Sequence, residues 1–431
     1  MHADVIVVGQ RSEAFLAAYL FAHRGYRTLL LGVPNTPSPS GRMLLEPGLA
    51  ARLKPVEPPP EAVISRNLTV EFWSPDERSH AIVRQLPHLL LDEAAFCRTI
   101  ETAALRTRSY KCLRGISPAS LLVTKGCVTG VRLNSGDAIN ARLVIVADNF
   151  GMGLGDELKA LWPQHDLGPH QGRLFGQRRQ VGTAASAWTL GTFSMRVKPG
   201  QHMQWHYRVQ ADELEVGAVT FPNCKLKPEP LVGRVFREAA LEGTPLFGQF
   251  ARAPHLAPPL PVPLAAGYLG IGQVAGHGNP WLPMDRTAAL GGALQAWLAG
   301  ADALDEGKPT VPAMWEYVRS MASDQGARQA YAYALTDGLT HMNANLLDLL
   351  FKRRLIDTYV LSCLVLSWQV KEDWLDGLSR ALRAAASPGA VLAWNRLLRR
   401  ARRLAALYRS VPLQFERSEA LNWQEKILKS W

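Results

Sequence analysis

The chain opens with Asp4-Val5-Ile6-Val7-Val8-Gly9, an apolar run that ends on a glycine. A run of this length bounded by a turn reads as a buried strand of a parallel sheet. Residues from Ser12 to Arg24 then read as a helix closed by Gly25, and Tyr26 to Leu31 as a second strand. Strand, helix and strand in this order make a βαβ unit of a doubly wound sheet. The first turn of such a unit ordinarily carries G-x-G-x-x-G, which seats the diphosphate of a dinucleotide. Here the six positions are Gly9, Gln10, Arg11, Ser12, Glu13 and Ala14, so only the first glycine remains. The acid expected after the second strand, for the ribose hydroxyls, is Gly32.

Each change has a physical consequence. The second glycine lets the backbone approach a diphosphate, and Arg11 places a long side chain there. A helix N-terminus attracts anions through its free N–H groups and its dipole. Glu13 supplies a carboxylate in that first turn, which stabilises the bare helix by roughly 0.3–1 kcal/mol, and Ser12 is a candidate cap. The helix end is then satisfied without a ligand. In the opposite reading, Arg11 pairs with a phosphate through a charge-assisted bond.

With 431 residues the chain can form two or three domains around a large core. A core strand starting at Asp4 leaves no room for a signal peptide, and no apolar run reaches membrane-spanning length. The longest, Tyr359 to Trp368, reads as a core helix. Five scattered cysteines show neither metal spacing nor a disulfide framework, which fits a reducing cytoplasm and no bound metal.

Lys and Arg number 48 against 37 Asp and Glu, a net charge of +11. That balance favours an anionic partner or membrane surface. Near the C-terminus, Trp394, Leu397, Leu398, Ala401, Leu404, Ala405 and Tyr408 form an i, i+3, i+4 stripe, with six arginines between 396 and 409 lying off it. Such a helix either docks on its own protein with a solvated basic face or lies peripherally on an anionic membrane. No helix-turn-helix, zinc-finger or RNA-binding signature is present, which disfavours nucleic acid.

Proline-rich loops at Pro34–Gly41 and Pro55–Pro60 lead to a helix over Pro87–Arg106. Strands follow at Ser120–Lys125, Val128–Asn134 and Ala138–Val146, the last two joined by the turn signal Asn134-Ser135-Gly136-Asp137. Alternating runs at Trp188–Val197, His202–Gln210 and Leu214–Phe221 suggest an antiparallel sheet in a separate layer. A strand is expected at Ala266–Ile271, and from Arg286 onward the chain reads as helical.

This order resembles the flavoprotein monooxygenase and geranylgeranyl reductase superfamily. Val146-Ala147-Asp148-Asn149 stands where family members read G-A-D-G, with Asp148 near the flavin and Asn149 replacing glycine. Gly270 to Pro280 resembles the reductase motif G-D-A-A-G-x-x-N-P, with Gly272, Gly276, Asn279 and Pro280 kept. Gln273 replaces the acid that the family directs at the ribityl and pyrophosphate region of FAD. The glycine-rich turn that follows in the family is replaced by Trp281-Leu282-Pro283-Met284-Asp285-Arg286. The family's R-x-x-F-D appears as Glu93-Ala94-Ala95-Phe96-Cys97, so a cofactor-contacting arginine becomes an acid. Phe221-Pro222 resembles the end of W-x-F-P, with Val219 at the tryptophan position.

The resemblance implies an α/β fold: a doubly wound FAD-binding domain over 1–160 and 262–330, an inserted antiparallel sheet domain over 161–261, and a helical region over 331–431. It implies FAD as cofactor, with Gly9, Arg11, Ser12, Asp148, Gly272, Gln273, Gly276 and Asn279 at the cofactor-facing positions. The altered residues point instead to lost or severely weakened FAD binding and a binding or accessory role toward a protein partner or apolar small molecule. The alternative is an active FAD-dependent oxidoreductase with a non-standard flavin site and a prenyl, lipid or carrier-bound substrate. A second alternative is a cofactor-free enzyme reusing the old cavity, with His277 or Asp148 as acid or base. Two lesser candidates are a cluster of His202, Trp205, His206 and Tyr207, which could line a pocket or simply pack, and Cys224, beside Lys225 and Lys227.

Overall fold

The computed structural model describes residues 2–35, 41–54, 56–147, 173–181, 190–198, 202–210, 213–220, 224–238, 244–245, 250–252, 258–366, 369–370 and 387–431. Strand β1 (His2–Val8), helix α1 (Ser12–His23) and strand β2 (Thr28–Leu31) form the expected βαβ unit. β1 lies between β2 and β11 (Ala138–Val146), parallel to both, and Val5 to Val8 are fully buried. β8 (Tyr110–Leu113) extends the sheet beyond β2, and β19 (Tyr268–Gly270) extends it beyond β11, both in parallel. The edge strand β18 (Leu264–Ala265) turns back on β19. β9 (Pro118–Thr124) and β10 (Cys127–Leu133) form an antiparallel hairpin that joins β11. The doubly wound α/β class is therefore correct, and the expected strand over 266–271 is a short hairpin instead.

The helix expected from Pro87 starts later. Leu89–Asp92 is a strand, β7, which pairs with β3 (Arg42–Leu45) and β4 (Val63–Ser65). Its buried leucines gain more from a three-stranded sheet than from a helix with no apolar face beneath them. Helix α2 (Glu93–Leu105) begins where the Asp92 carboxylate accepts a bond from the Ala95 N–H at 2.8 Å.

The second sheet runs β16 (Thr244–Pro245), β12 (Arg173–Gln180), β15 (Glu213–Thr220), β14 (His202–Gln210), β13 (Thr192–Lys198), β5 (Leu68–Trp73), β6 (His80–Leu86), with β17 (Phe250–Arg252) also paired to β12. It therefore draws two strands from residues 68–86, well before the segment 161–261 in which the sequence places it. The expected alternation holds. Trp205 and Tyr207 lie on the inner face within the main core, while His202 and His206 share the opposite face and are also buried. On that opposite face, helix α3 (Pro228–Glu238) covers Leu214, Val216 and Ala218.

The C-terminal third is helical: α4 (Thr287–Asp305), α5 (Trp315–Ser320), α6 (Ala327–Thr340), α7 (Ala344–Lys352), α8 (Thr358–Leu366), α9 (Pro388–Arg409) and α10 (Arg417–Leu428). The apolar stripe of α9, from Trp394 to Tyr408, is buried against the protein itself, mainly on α6. α8 buries Val360, Leu361, Leu364 and Val365, as expected of a core helix. Among the described residues no helix is long and apolar enough to cross a membrane. No group of three or more His, Cys, Asp or Glu among them could hold a metal.

Gly217 lies under the indole of Trp205, where an added Cβ would come within 1.9 Å of the ring. Gly217→Ala is expected to destabilise the fold by about 1–3 kcal/mol through overpacking. Denaturant unfolding measures this, and an unchanged midpoint would contradict the close packing described.

Candidate functional site

Three helices begin at one buried place between the parallel sheet and the C-terminal helices. A helix N-terminus presents unpaired N–H groups and the positive end of a dipole, so it favours an anion. At each of the three, this chain supplies its own carboxylate.

At α1 the N-cap position is Arg11, with no side-chain capping bond, so Ser12 does not cap the helix. The Ser12 hydroxyl instead lies 3.3 Å from Glu93 Oε1 and 3.4 Å from Glu13 Oε2. Ser12 and Glu13 are fully buried. Glu13 reaches the loop after β19, where a Cβ on Gly272 would stand 2.8 Å from Glu13 Oε1. Gly272 has φ +56°, so both its conformation and its proximity to Glu13 favour glycine.

At α2, Asp92 caps the helix and Glu93 turns inward, nearly fully buried. Its carboxylate lies between Ser12 and the buried Arg286 guanidinium, whose Nε is 3.9 Å from Glu93 Oε1. At α4 the N-cap position is Arg286, and the preceding residue Asp285 accepts the Thr287 N–H of the first turn through Oδ1 at 2.9 Å. Asn279 Nδ2 donates to Asp285 Oδ2 at 3.3 Å, while Asn279 Oδ1 accepts from the Trp281 N–H at 2.9 Å. The Asn279–Arg286 loop is thereby tied to itself. β3 crosses it as well, since the Leu44 N–H donates to the Met284 carbonyl and the Arg286 N–H to the Leu44 carbonyl, both at 2.9 Å.

The helical region holds the chain just before that loop, between Pro259 and Gly278. Tyr317 of α5 donates to the Gly270 carbonyl at 2.6 Å. The Gln329 amide of α6 donates to the Gly276 carbonyl and accepts from the Gly278 N–H. Tyr408 of α9 donates to the Pro259 carbonyl. This clamp is invisible in the sequence, because Gln329 lies 53 residues from Gly276 and belongs to no motif.

The structure thus brings Ser12, Glu13, Gly272, Asn279 and Asp285 to one region, joined by Glu93 and Arg286. Gly9 ends β1, its N–H bonded to the Leu31 carbonyl at 2.9 Å. Arg11 is half-buried at the mouth of the same turn. The Gln273 Nε2 atom is buried with no hydrogen-bond partner among the described residues. Asp148, Asn149, Phe221 and Pro222 lie outside the described residues. Cys224 is half-buried.

His277 is buried, its backbone N–H bonded to the Gly272 carbonyl at 2.8 Å. Its ring packs on α4, where a Cβ at Gly292 would stand 2.8 Å from Nδ1. Burial pushes its pKa down from 6.5 to about 3. His206 is held at about 3 by burial first and by the Arg196 charge second. Both are neutral at pH 7, so His277 sits as an uncharged packed ring.

The architecture is a known one. A geranylgeranyl bacteriochlorophyll reductase-like protein from Thermoplasma acidophilum superposes with a TM-score of 0.70. The match has 14% identity and covers 92% of this chain and 99% of that one. A variant of the halogenase PltM in complex with FAD matches with a TM-score of 0.62 and 13% identity, covering 99% of this chain and 95% of that one. The probable FAD-dependent monooxygenase pqsL from Pseudomonas aeruginosa matches with a TM-score of 0.56 and 17% identity, covering 79% of this chain and 97% of that one. The chain has the flavoprotein oxidoreductase fold. No protein-family model and no curated protein sequence matches it.

Between about pH 3 and 6.5 the unfolded chain binds protons at His206 and His277 that the folded chain does not. Stability therefore rises with pH across that window and falls on acidification through it. His277→Leu is expected to reduce the slope of unfolding free energy against pH by up to one proton equivalent. Denaturant unfolding from about pH 7 to about pH 4 reads it, and an unchanged slope would show that His277 is accessible to protons in the fold.

Proposed function

We propose that this flavoprotein scaffold has lost FAD binding or retains it only in severely weakened form, and that the protein serves as a binding or accessory component. The observation that carries the reading is the buried set Glu13, Glu93 and Asp285 at three converging helix N-termini. In a dinucleotide-binding fold the diphosphate rests on the α1 N-terminus, where neutral backbone donors receive its charge. Here that diphosphate would meet two buried carboxylates, Glu93 and Glu13, the second packed beside Gly272. The residues present do not suit it in that pose. Replacing a charge-assisted bond by a like charge costs at least the 1.5–3 kcal/mol such a bond contributes, about tenfold to a hundredfold in affinity for each contact.

The region is also built to stand without a ligand. Asp285 accepts one N–H of the first α4 turn, Asn279 accepts the Trp281 N–H, and Gln329 and Tyr317 hold the loop from the helical side. On the sheet side, Phe72 packs directly on Trp281 of this loop, ring centroids 5.1 Å apart.

A second reading rests on a different observation. The inner face of the antiparallel sheet carries Phe72, Phe193, Met195, Met203, Trp205 and Tyr207, all buried in the main core, an apolar surface of the chemistry that a prenyl or lipid chain would need. A flavin held in a non-standard way would then make the protein an FAD-dependent oxidoreductase, the hydride chemistry belonging to the flavin. Cofactor-free catalysis through His277 is the weaker reading, because the ring is buried against Gly292 and shows no hydrogen-bond partner among the described residues.

The visible absorbance of the purified protein, followed by FAD titration, separates the first two readings. The proposal expects a colourless protein with no saturable FAD binding at micromolar concentration. A flavin band near one per chain would establish the second reading instead. The double variant Glu13→Gly, Glu93→Arg is expected to raise FAD affinity by about tenfold or more, and no gain from it in a folded protein would remove the electrostatic basis of the argument.

A further inference from the structure

We propose that the outer face of α9 docks the protein on a membrane surface containing anionic phospholipid. The helix divides its residues by side. Trp394, Leu397, Leu398, Ala401, Leu404, Ala405 and Tyr408 are buried in the protein, so nothing of the apolar stripe remains for a membrane. The opposite side is a convex ridge. Leu392, Arg396, Arg399 and Arg403 follow at i, i+4, i+7 and i+11, which places them along one line of an α-helix. All four are exposed, and Arg402 and Arg409 are exposed beside them.

Among the described residues the arginines of this line are not matched by acids. Arg400, half-buried at its margin, pairs with Asp337 at 3.1 Å and donates to the C-terminal Trp431 carbonyl. Among the described residues Arg396, Arg399 and Arg403 make no ion pair, and Arg399 bonds there only to the Asn395 carbonyl of its own helix. These three guanidiniums span about 10 Å of helix, at a spacing no acid answers among the described residues. Their complement is a surface carrying many phosphates in a plane rather than one small anion, because the ridge is convex and offers no pocket.

Two leucines distinguish a lipid surface from other polyanions. Leu392, 53% exposed, stands on the same ridge one turn before Arg396. Leu413, 77% exposed, lies in the turn just after the helix. Exposed leucines bracketing an arginine row match a helix that rests at the headgroup level and lets apolar side chains reach the acyl boundary. The aromatic residues of α9, Trp394 and Tyr408, face inward, so the ridge offers no ring for stacking on nucleic-acid bases.

Co-sedimentation of the full chain with vesicles tests the assignment. The probes are vesicles of phosphatidylcholine alone and of phosphatidylcholine with phosphatidylglycerol in equal part. Binding is expected only to the second kind, strongest at low salt and weakening as salt rises. The variant R396Q/R399Q/R403Q is expected to lose about a hundredfold in apparent affinity with an unchanged unfolding midpoint, because the side chains are exposed. Leu413→Ser is expected to weaken binding while leaving its salt dependence intact. Absence of binding to phosphatidylglycerol vesicles at low salt would overturn the proposal, as would a triple variant that binds like the parent. Stronger retention by a DNA duplex at equal phosphate concentration would overturn the lipid assignment. None of these outcomes depends on whether FAD binds.

Discussion

Three helix N-termini meet in one buried volume, and the charge set against them governs what that volume can hold. α1, α2 and α4 each present unpaired N–H groups and a positive dipole end. A dinucleotide fold uses such an end to receive a diphosphate. In this chain Glu13, Asp92 with Glu93, and Asp285 take the place of that anion from within. Buried carboxylates need partners, and the partners found are the Ser12 hydroxyl, the Thr287 N–H, the Asn279 amide and the Arg286 guanidinium. The polar connection from Ser12 through Glu93 to Arg286 couples α1, α2 and α4, so changing one member leaves the others with buried charge to satisfy.

The remainder of the molecule reinforces that closed arrangement. The loop from Gly270 to Arg286 is bonded to the parallel sheet, to β3, and to the helical region through Tyr317 and Gln329. The antiparallel sheet seals it from the opposite side, with Phe72 in edge contact with both Trp281 and Phe351. Charge also ties the small β3–β7–β4 sheet to the antiparallel one. Arg42 of β3 pairs with Glu213 of β15 at 2.6 Å, and Arg178 pairs with Glu215 at 3.1 Å within the antiparallel sheet. Burial pushes the Arg42 pKa down, the nearby Arg178 charge adds to that, and the glutamates act against it. Breaking such a buried pair by removing one partner is far more costly than never having had it.

Much of this scaffold is legible before any coordinates. The run Asp4–Gly9, the helix closed by Gly25 and the strand Ala138–Val146 are set by local pattern, because a buried parallel strand must be apolar on both faces. The alternation in His202–Gln210 likewise places Trp205 and Tyr207 on one face. What failed locally failed for tertiary reasons. Leu89–Asp92 continues a helical pattern but is captured by β3 and β4. Ser12 has the chemistry of a cap but turns to Glu93, a residue 81 positions away.

The sequence alone determined that the first turn lacks its glycines, that acids stand at positions 13, 93 and 285, and that one C-terminal helix divides apolar from basic residues. These are facts of residue type and spacing, and they survive any folding. Only the tertiary structure decided that the acids converge, because 13, 93 and 285 are distant in the chain and their charges bear on one another only when three helices start at the same place. It decided equally which side of α9 faces solvent. An amphipathic helix offers its apolar stripe to whatever apolar surface is nearest, and here the adjoining helix α6 takes it, leaving the arginines outside.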